Sequence, residues 1–178
     1  MHDDTETSTS WLSPDDLETA RSLVPMVYVE AIPIRVDGSG QLTHLGLLLR
    51  VRPDGSISRA TVAGRVLHHE RVREALVRNL EKDLGPVALP RLPASPAPFM
   101  VAEYFPDPII SGYHDPRHHA VSLVFVVPVD GDCQPTQEAL DLSWLTPDEI
   151  MAPGFREEMA GGQERLVVAA LAHCGALP

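Results

Sequence analysis

The chain is 178 residues long, 44% apolar, and carries a net charge of −11. That length buries one good core, so one domain is expected over 11–178, behind an acidic, polar stretch over 1–10 that reads as a disordered tail. The charge argues against a nucleic-acid polymer or an anionic membrane surface as partner, since both demand a basic face, and no apolar stretch approaches the ~20 residues that cross a bilayer.

Ser13-Pro14-Asp15-Asp16 is a helix start: Ser13 caps, Pro14 fits the first turn and Asp16 stands three residues after the cap. The helix should run to about Ser22. A β-branched run predicts a strand over 27–36, Asp37-Gly38-Ser39-Gly40 a turn, and 42–51 the returning strand. Arg52-Pro53-Asp54-Gly55 is a second turn, followed by one short strand over 59–62. A helix is predicted over 70–84, stopped by Gly85-Pro86, with a Pro-rich extended segment over 87–98. Strands are expected over 99–105 and 120–129, with the polar segment 107–119 between them. A short strand over 140–145, a helical turn over 147–150 and a last helix over 163–173 complete the chain. This order predicts an α/β (α+β) sandwich.

Between the hairpin and the Pro-rich segment lies a frame: Gly64, five residues, Glu70, seven residues, Arg78, six residues, Gly85. It resembles the signature of the Nudix family, which reads Gly, five residues, Glu, seven residues, Arg-Glu-apolar-x-Glu-Glu-x-Gly-apolar. Trp144-Leu145-Thr146-Pro147-Asp148-Glu149-Ile150 is similar to that family's late Trp-apolar-x-x-x-Glu-apolar segment, and Arg52-Pro53-Asp54-Gly55 to the turn that often precedes the box. The resemblance covers 27–173 and implies a Nudix-like α/β/α sandwich with a mixed sheet.

Nudix enzymes are similar in cleaving a nucleoside diphosphate linked to another group. Water attacks phosphorus while divalent metal ions neutralise the phosphate oxygens. The resemblance therefore implies a small phosphorylated or nucleotide-like ligand and, for an active hydrolase, Mg²⁺ or Mn²⁺. The catalytic candidates are Glu70, Arg78 and Glu103; Arg59, Lys82, Arg117 and His118 are candidates for substrate contact. The family's three metal-holding carboxylates fall on Asn79, Lys82 and Asp83. An amide offers one neutral oxygen and a charged lysine no acceptor at all. The metal candidates are thus Asp83, Asn79 as a weak ligand, and His69 as a nearby imidazole. Lys82 can instead contact a phosphate directly.

Helical spacing puts Asn79, Lys82 and Asp83 on one face. It assigns Glu70, Glu74, Arg78 and Glu81 to a polar side and Leu76, Val77, Leu80 and Leu84 to the core. Where the family often has Leu-Pro-Gly-Gly, this chain has Thr61-Val62-Ala63-Gly64, and His69 replaces a Gly that commonly precedes the first Glu. Fewer glycines leave the backbone less freedom to wrap a phosphate. Eight histidines occur, and five sit in two loops: His68 and His69 in one, His114, His118 and His119 in the other. If both loops reached one cleft beside Asp83, they would suit Zn²⁺, Mn²⁺ or Ni²⁺; exposed loop histidines with no common site are the alternative. Asp115-Pro116-Arg117 is similar to a stretch in the ADP-ribose-directed branch of the family, and equally reads as a turn.

Three functions stay open: a divergent hydrolase, a catalytically inactive domain that binds a nucleotide or small ligand, and an interaction module, with a homodimer among the readings. An acidic N-terminus without a signal peptide and two isolated cysteines, Cys133 and Cys174, point to the cytoplasm.

Overall fold

Strand β1 (Met26–Val36) organises the molecule, because it pairs with three neighbours. The structure, a computed structural model, describes residues 11–52, 54–135 and 139–178; the expected tail over 1–10 lies outside the described residues. Along one edge β1 runs antiparallel to β2 (Leu42–Val51) and β4 (Val62–Arg65). Along the other it runs parallel to β6 (Ala120–Pro128), with Glu30 opposite Val124. Strand β3 (Ile57–Ala60) and β7 (Asp141–Leu145) pair with β2, and β5 (Met100–Tyr104) pairs with β6. The sheet is mixed, and helices cover both faces. Hence β1 is buried without a break over 29–34 rather than in alternation.

Each face has its own core. Val29 and Ala31 of β1 pack with Leu76, Leu80 and Leu84 of helix α2 (Val72–Leu84). Ile32 and Ile34 pack on the other face with Leu166, Val167, Ala170 and Leu171 of helix α4 (Gln163–His173). Helix α1 (Pro14–Leu23) precedes β1, and its cap is as expected: Ser13 Oγ accepts the Asp16 amide at 3.1 Å. The short helix α3 (Pro147–Met151) starts at Thr146, whose amide donates to Glu149 at 2.8 Å. This α/β/α sandwich is the architecture the sequence predicts.

Three local expectations need correction. The single strand expected over 59–62 is two strands, β3 and β4, broken at Thr61. Thr61 turns inward and its hydroxyl donates to Glu30. The helix expected from Glu70 begins at Val72, because His69 adopts a left-handed backbone (φ 63°) and Glu70 bonds back to the Leu67 amide. The buried face of α2 comprises Ala75, Leu76, Asn79, Leu80, Asp83 and Leu84. Val77, assigned above to the core, instead lines a polar cleft with Arg73, Arg78 and Lys82.

The polar segment before β6 is held to the start of α4. The His114 amide donates to the Gly161 carbonyl at 3.0 Å. A Cβ on Gly161 would stand 2.6 Å from the His114 carbonyl oxygen, and one on Gly162 2.4 Å from that of Gly112. Both glycines are also left-handed, so this joint admits no side chain at either position.

Candidate functional site

Two pockets meet at strand β4. Ala63 lines one and its successor Gly64 lines the other, on opposite faces of the sheet.

The first pocket has Glu30 at its floor. A carboxyl in the middle of a buried β1 is expensive unless hydrogen-bonded. Here four side chains from four parts of the chain donate to it: Thr61 Oγ1 at 2.5 Å, Tyr104 Oη at 3.1 Å, Ser122 Oγ at 3.0 Å and Gln163 Nε2 at 2.9 Å. Burial raises the Glu30 carboxyl above its ordinary range, against the pull of these hydrogen bonds. Burial and the Glu30 charge likewise raise the Tyr104 phenol. Tyr28, Asp115 and Arg117 form the rim of a cavity of about 100 Å³. Asp115 accepts both the Arg117 side chain, at 2.6 Å and 2.9 Å, and the Arg117 amide. Burial raises the Asp115 carboxyl, but these bonds outweigh it and hold it below its usual range. Arg117 is thus at the rim of this cavity and in a turn at once. None of the Glu30 group was singled out from sequence, although a Glu amid apolar β-branched residues was the available signal.

The second pocket lies beside α2. Glu70 and Arg78, two residues of the frame, form a two-point ion pair with N–O distances of 2.6 Å and 2.8 Å, and Arg78 Nη2 also donates to the Arg65 carbonyl at 2.8 Å. The Arg78 bonds hold the Glu70 carboxyl below its ordinary range. The pair ties the loop before α2 to the helix. Trp11, Gly64, Arg65, Arg78, Asn79 and Lys82 line the pocket, which has a volume of about 440 Å³.

The family's metal-holding positions can be tested against this geometry. Asn79 is buried, donates Nδ2 to the Ala75 carbonyl at 2.8 Å, and sets its Oδ1 against Gly64. Asp83 is 2% exposed, with Arg50 Nη2 at 3.7 Å and Lys82 Nζ at 3.8 Å. Mg²⁺ requires several hard oxygen donors around it. One buried carboxylate beside two cations, one of them the Lys82 ammonium, and an amide turned inward do not fit that ion. Among the described residues, no group of three or more His, Cys, Asp and Glu side chains is gathered for a metal.

The remaining candidates are dispersed. Arg59 pairs with Glu158. Glu103 stands exposed on β5 with His119 Nε2 3.9 Å away. His68 and His69 are exposed and lie against each other, with ring centroids 3.8 Å apart, whereas His118 is buried against Tyr28 and His119 stacks on Phe105. The two His loops do not gather a common metal site beside Asp83 among the described residues, which is the alternative the sequence left open.

A family model described as a domain of unknown function (DUF4916) matches residues 7–176. A structure from Jonesia denitrificans, described as that of a "possible" asymmetric diadenosine tetraphosphate hydrolase, is 59% identical and superposes with a TM-score of 0.85, over 88% of this chain and 98% of that one. The chain belongs to this family. More distant Nudix structures share the fold. A Nudix-family hydrolase from Clostridium perfringens has 13% identity and a TM-score of 0.60, over 86% of this chain and 98% of that one. The Nudix domain of Shewanella oneidensis NrtR, crystallised with ADP-ribose, has 15% identity and a TM-score of 0.58, over 91% and 93% of the two chains. No curated protein matches the chain. No helix among the described residues is long and apolar enough to cross a membrane.

Proposed function

We propose that this Nudix-like chain binds a nucleoside diphosphate linked to another group, laid across β4. One end of the ligand enters the Glu30 pocket and the phosphates lie in the cationic pocket beside α2. The observation that carries this reading is that β4, which among the described residues pairs with β1 alone, separates the two pockets by one strand's width: Ala63 faces one and Gly64 the other, so a long ligand can pass over the strand's outer edge. The floor of the first pocket offers directional hydrogen-bonding groups, which suit a polar ring. The second offers three cations, which suit phosphate oxygens. Because the donors on α2 do not fit Mg²⁺, binding should not require it. Calorimetry with ADP-ribose and diadenosine tetraphosphate in EDTA tests this. Binding of either, weakened by Glu30→Leu, is expected; no binding of any such nucleotide to the wild-type chain would refute it.

A second reading is hydrolysis of such a ligand, favoured by the 59% identity to the Jonesia denitrificans protein with its described activity. It predicts turnover of diadenosine tetraphosphate with added Mg²⁺ or Mn²⁺, read as released mononucleotide products by ion-exchange chromatography.

A further inference from the structure

Trp11 sits outside the core, 58% exposed. Its ring lies over two guanidinium groups, 5.4 Å from that of Arg78 and 5.9 Å from that of Arg65. A large aromatic side chain held on cations, rather than among aliphatic ones, is placed by the charge–quadrupole attraction between them.

The two arginines differ in what else they do. Arg78 has Glu70 and the Arg65 carbonyl as partners. Nη1 of Arg65 is shielded from solvent and has no hydrogen-bond acceptor among the described residues. A buried N–H without an acceptor is rare in folded proteins, and an explanation is called for. Arg65 also lines the pocket beside α2, together with Arg78 and Lys82 and with no Asp or Glu. In a chain of net charge −11, such a concentration of cations is against the trend of the whole surface.

We propose that Trp11 and Arg65 form a metal-independent phosphate subsite, in which Arg65 donates to a phosphate oxygen and the indole roofs the bound group. The acceptor that Arg65 lacks is then supplied by the ligand. The indole keeps water from the guanidinium–phosphate contact, which strengthens it. Its exposed outer face remains open to a stacked ring. The planar guanidinium matters, since it can present two parallel N–H groups to a phosphate where an ammonium presents a point charge. This subsite rests on the reading that the cleft beside α2 takes a phosphorylated ligand.

Inorganic pyrophosphate is the probe, added in EDTA and followed by thermal melting. A ligand that binds only the folded chain raises the Tm by mass action. The wild-type Tm should rise with pyrophosphate, and Trp11→Ala and Arg65→Ala should each weaken the apparent affinity by tenfold or more. Trp11 is exposed, so its replacement should fold. Should Arg65→Ala not fold, Arg65→Lys keeps the charge and loses the fork, and is expected to weaken binding as well. A wild-type Tm unmoved by pyrophosphate, or moved equally in wild type and the variants, overturns the subsite. ADP-ribose bound equally by wild type and variants would leave the nucleotide reading intact while removing this subsite. Pyrophosphate bound only by wild type, with no nucleotide bound at all, would keep the subsite and remove the nucleotide reading.

Discussion

A Cβ placed on Gly64 would stand 1.9 Å from Oδ1 of Asn79. The first residue of the Nudix frame and the first of its altered ligand positions are therefore one packing unit.

Gly64→Ala should destabilise the chain by about 1–3 kcal/mol through overpacking. Asn79→Ala alone removes the buried bond to Ala75, but the double variant should recover much of the Gly64→Ala loss. Urea unfolding of the four proteins in this cycle measures the coupling. Additive losses would show that the two residues do not compete for the same space.

Glu30→Gln keeps an acceptor and removes the titration. Because burial raises the Glu30 pKa in the folded state, its ionisation resists folding: the contribution is full below the unfolded value of 4.5 and is lost as pH rises through the raised folded value. Glu30→Gln should therefore gain stability relative to wild type as pH rises above the unfolded value of 4.5. Glu30→Leu should lose several kcal/mol, about 1–3 for each donor left unsatisfied. A wild-type minus Glu30→Gln difference that is flat with pH would contradict the raised pKa.

His118 carries the opposite sign. Burial lowers its pKa, against the pull of Asp115, so the native state resists its protonation. Stability is intact above the unfolded value of 6.5 and falls as pH drops from there to the depressed folded value. His118→Phe should flatten this part of a Tm-against-pH profile. An unchanged slope in the variant would assign the loss to other groups.

Replacing Asn79 and Lys82 together by Glu restores two carboxylates on α2. The double variant should gain a Mn²⁺-dependent rise in Tm that wild type lacks. An equal rise in wild type would show that Asp83 and its neighbours already hold the ion.

His69 holds a left-handed backbone where the family commonly has Gly. His69→Gly should be neutral or stabilising by up to about 1 kcal/mol, and His69→Val should destabilise by about 1–2 kcal/mol, since β-branching is poorly tolerated at positive φ. Chemical denaturation separates the two.

The fold was legible because its signals are local. Ser13 and Gly85 each mark an element end with its own chemistry, and the expected bounds of β2 and α4 coincide with the observed ones. The frame added Glu70 and Arg78, whose ion pair is formed between residues eight apart. The Glu30 site was not legible, because its donors, Thr61, Tyr104, Ser122 and Gln163, are separated by 31 to 133 residues from Glu30 and meet only through the sheet register. Nor does spacing on α2 reveal that Asn79 and Asp83 turn inward. The burial of Asn79 goes with β4 running close enough to admit only a Gly at position 64.

The joint at Gly161 and Gly162 has a bearing on how this pocket can diversify. It fixes the register between the segment that carries Asp115 and Arg117 and the helix that carries Gln163. A length change on either side would shift the rim against the floor, so new ligand preferences are more accessible by exchanging side chains than by inserting or deleting residues. Across relatives, the two segments should be inherited as a linked pair, each keeping its length only where the other keeps its own.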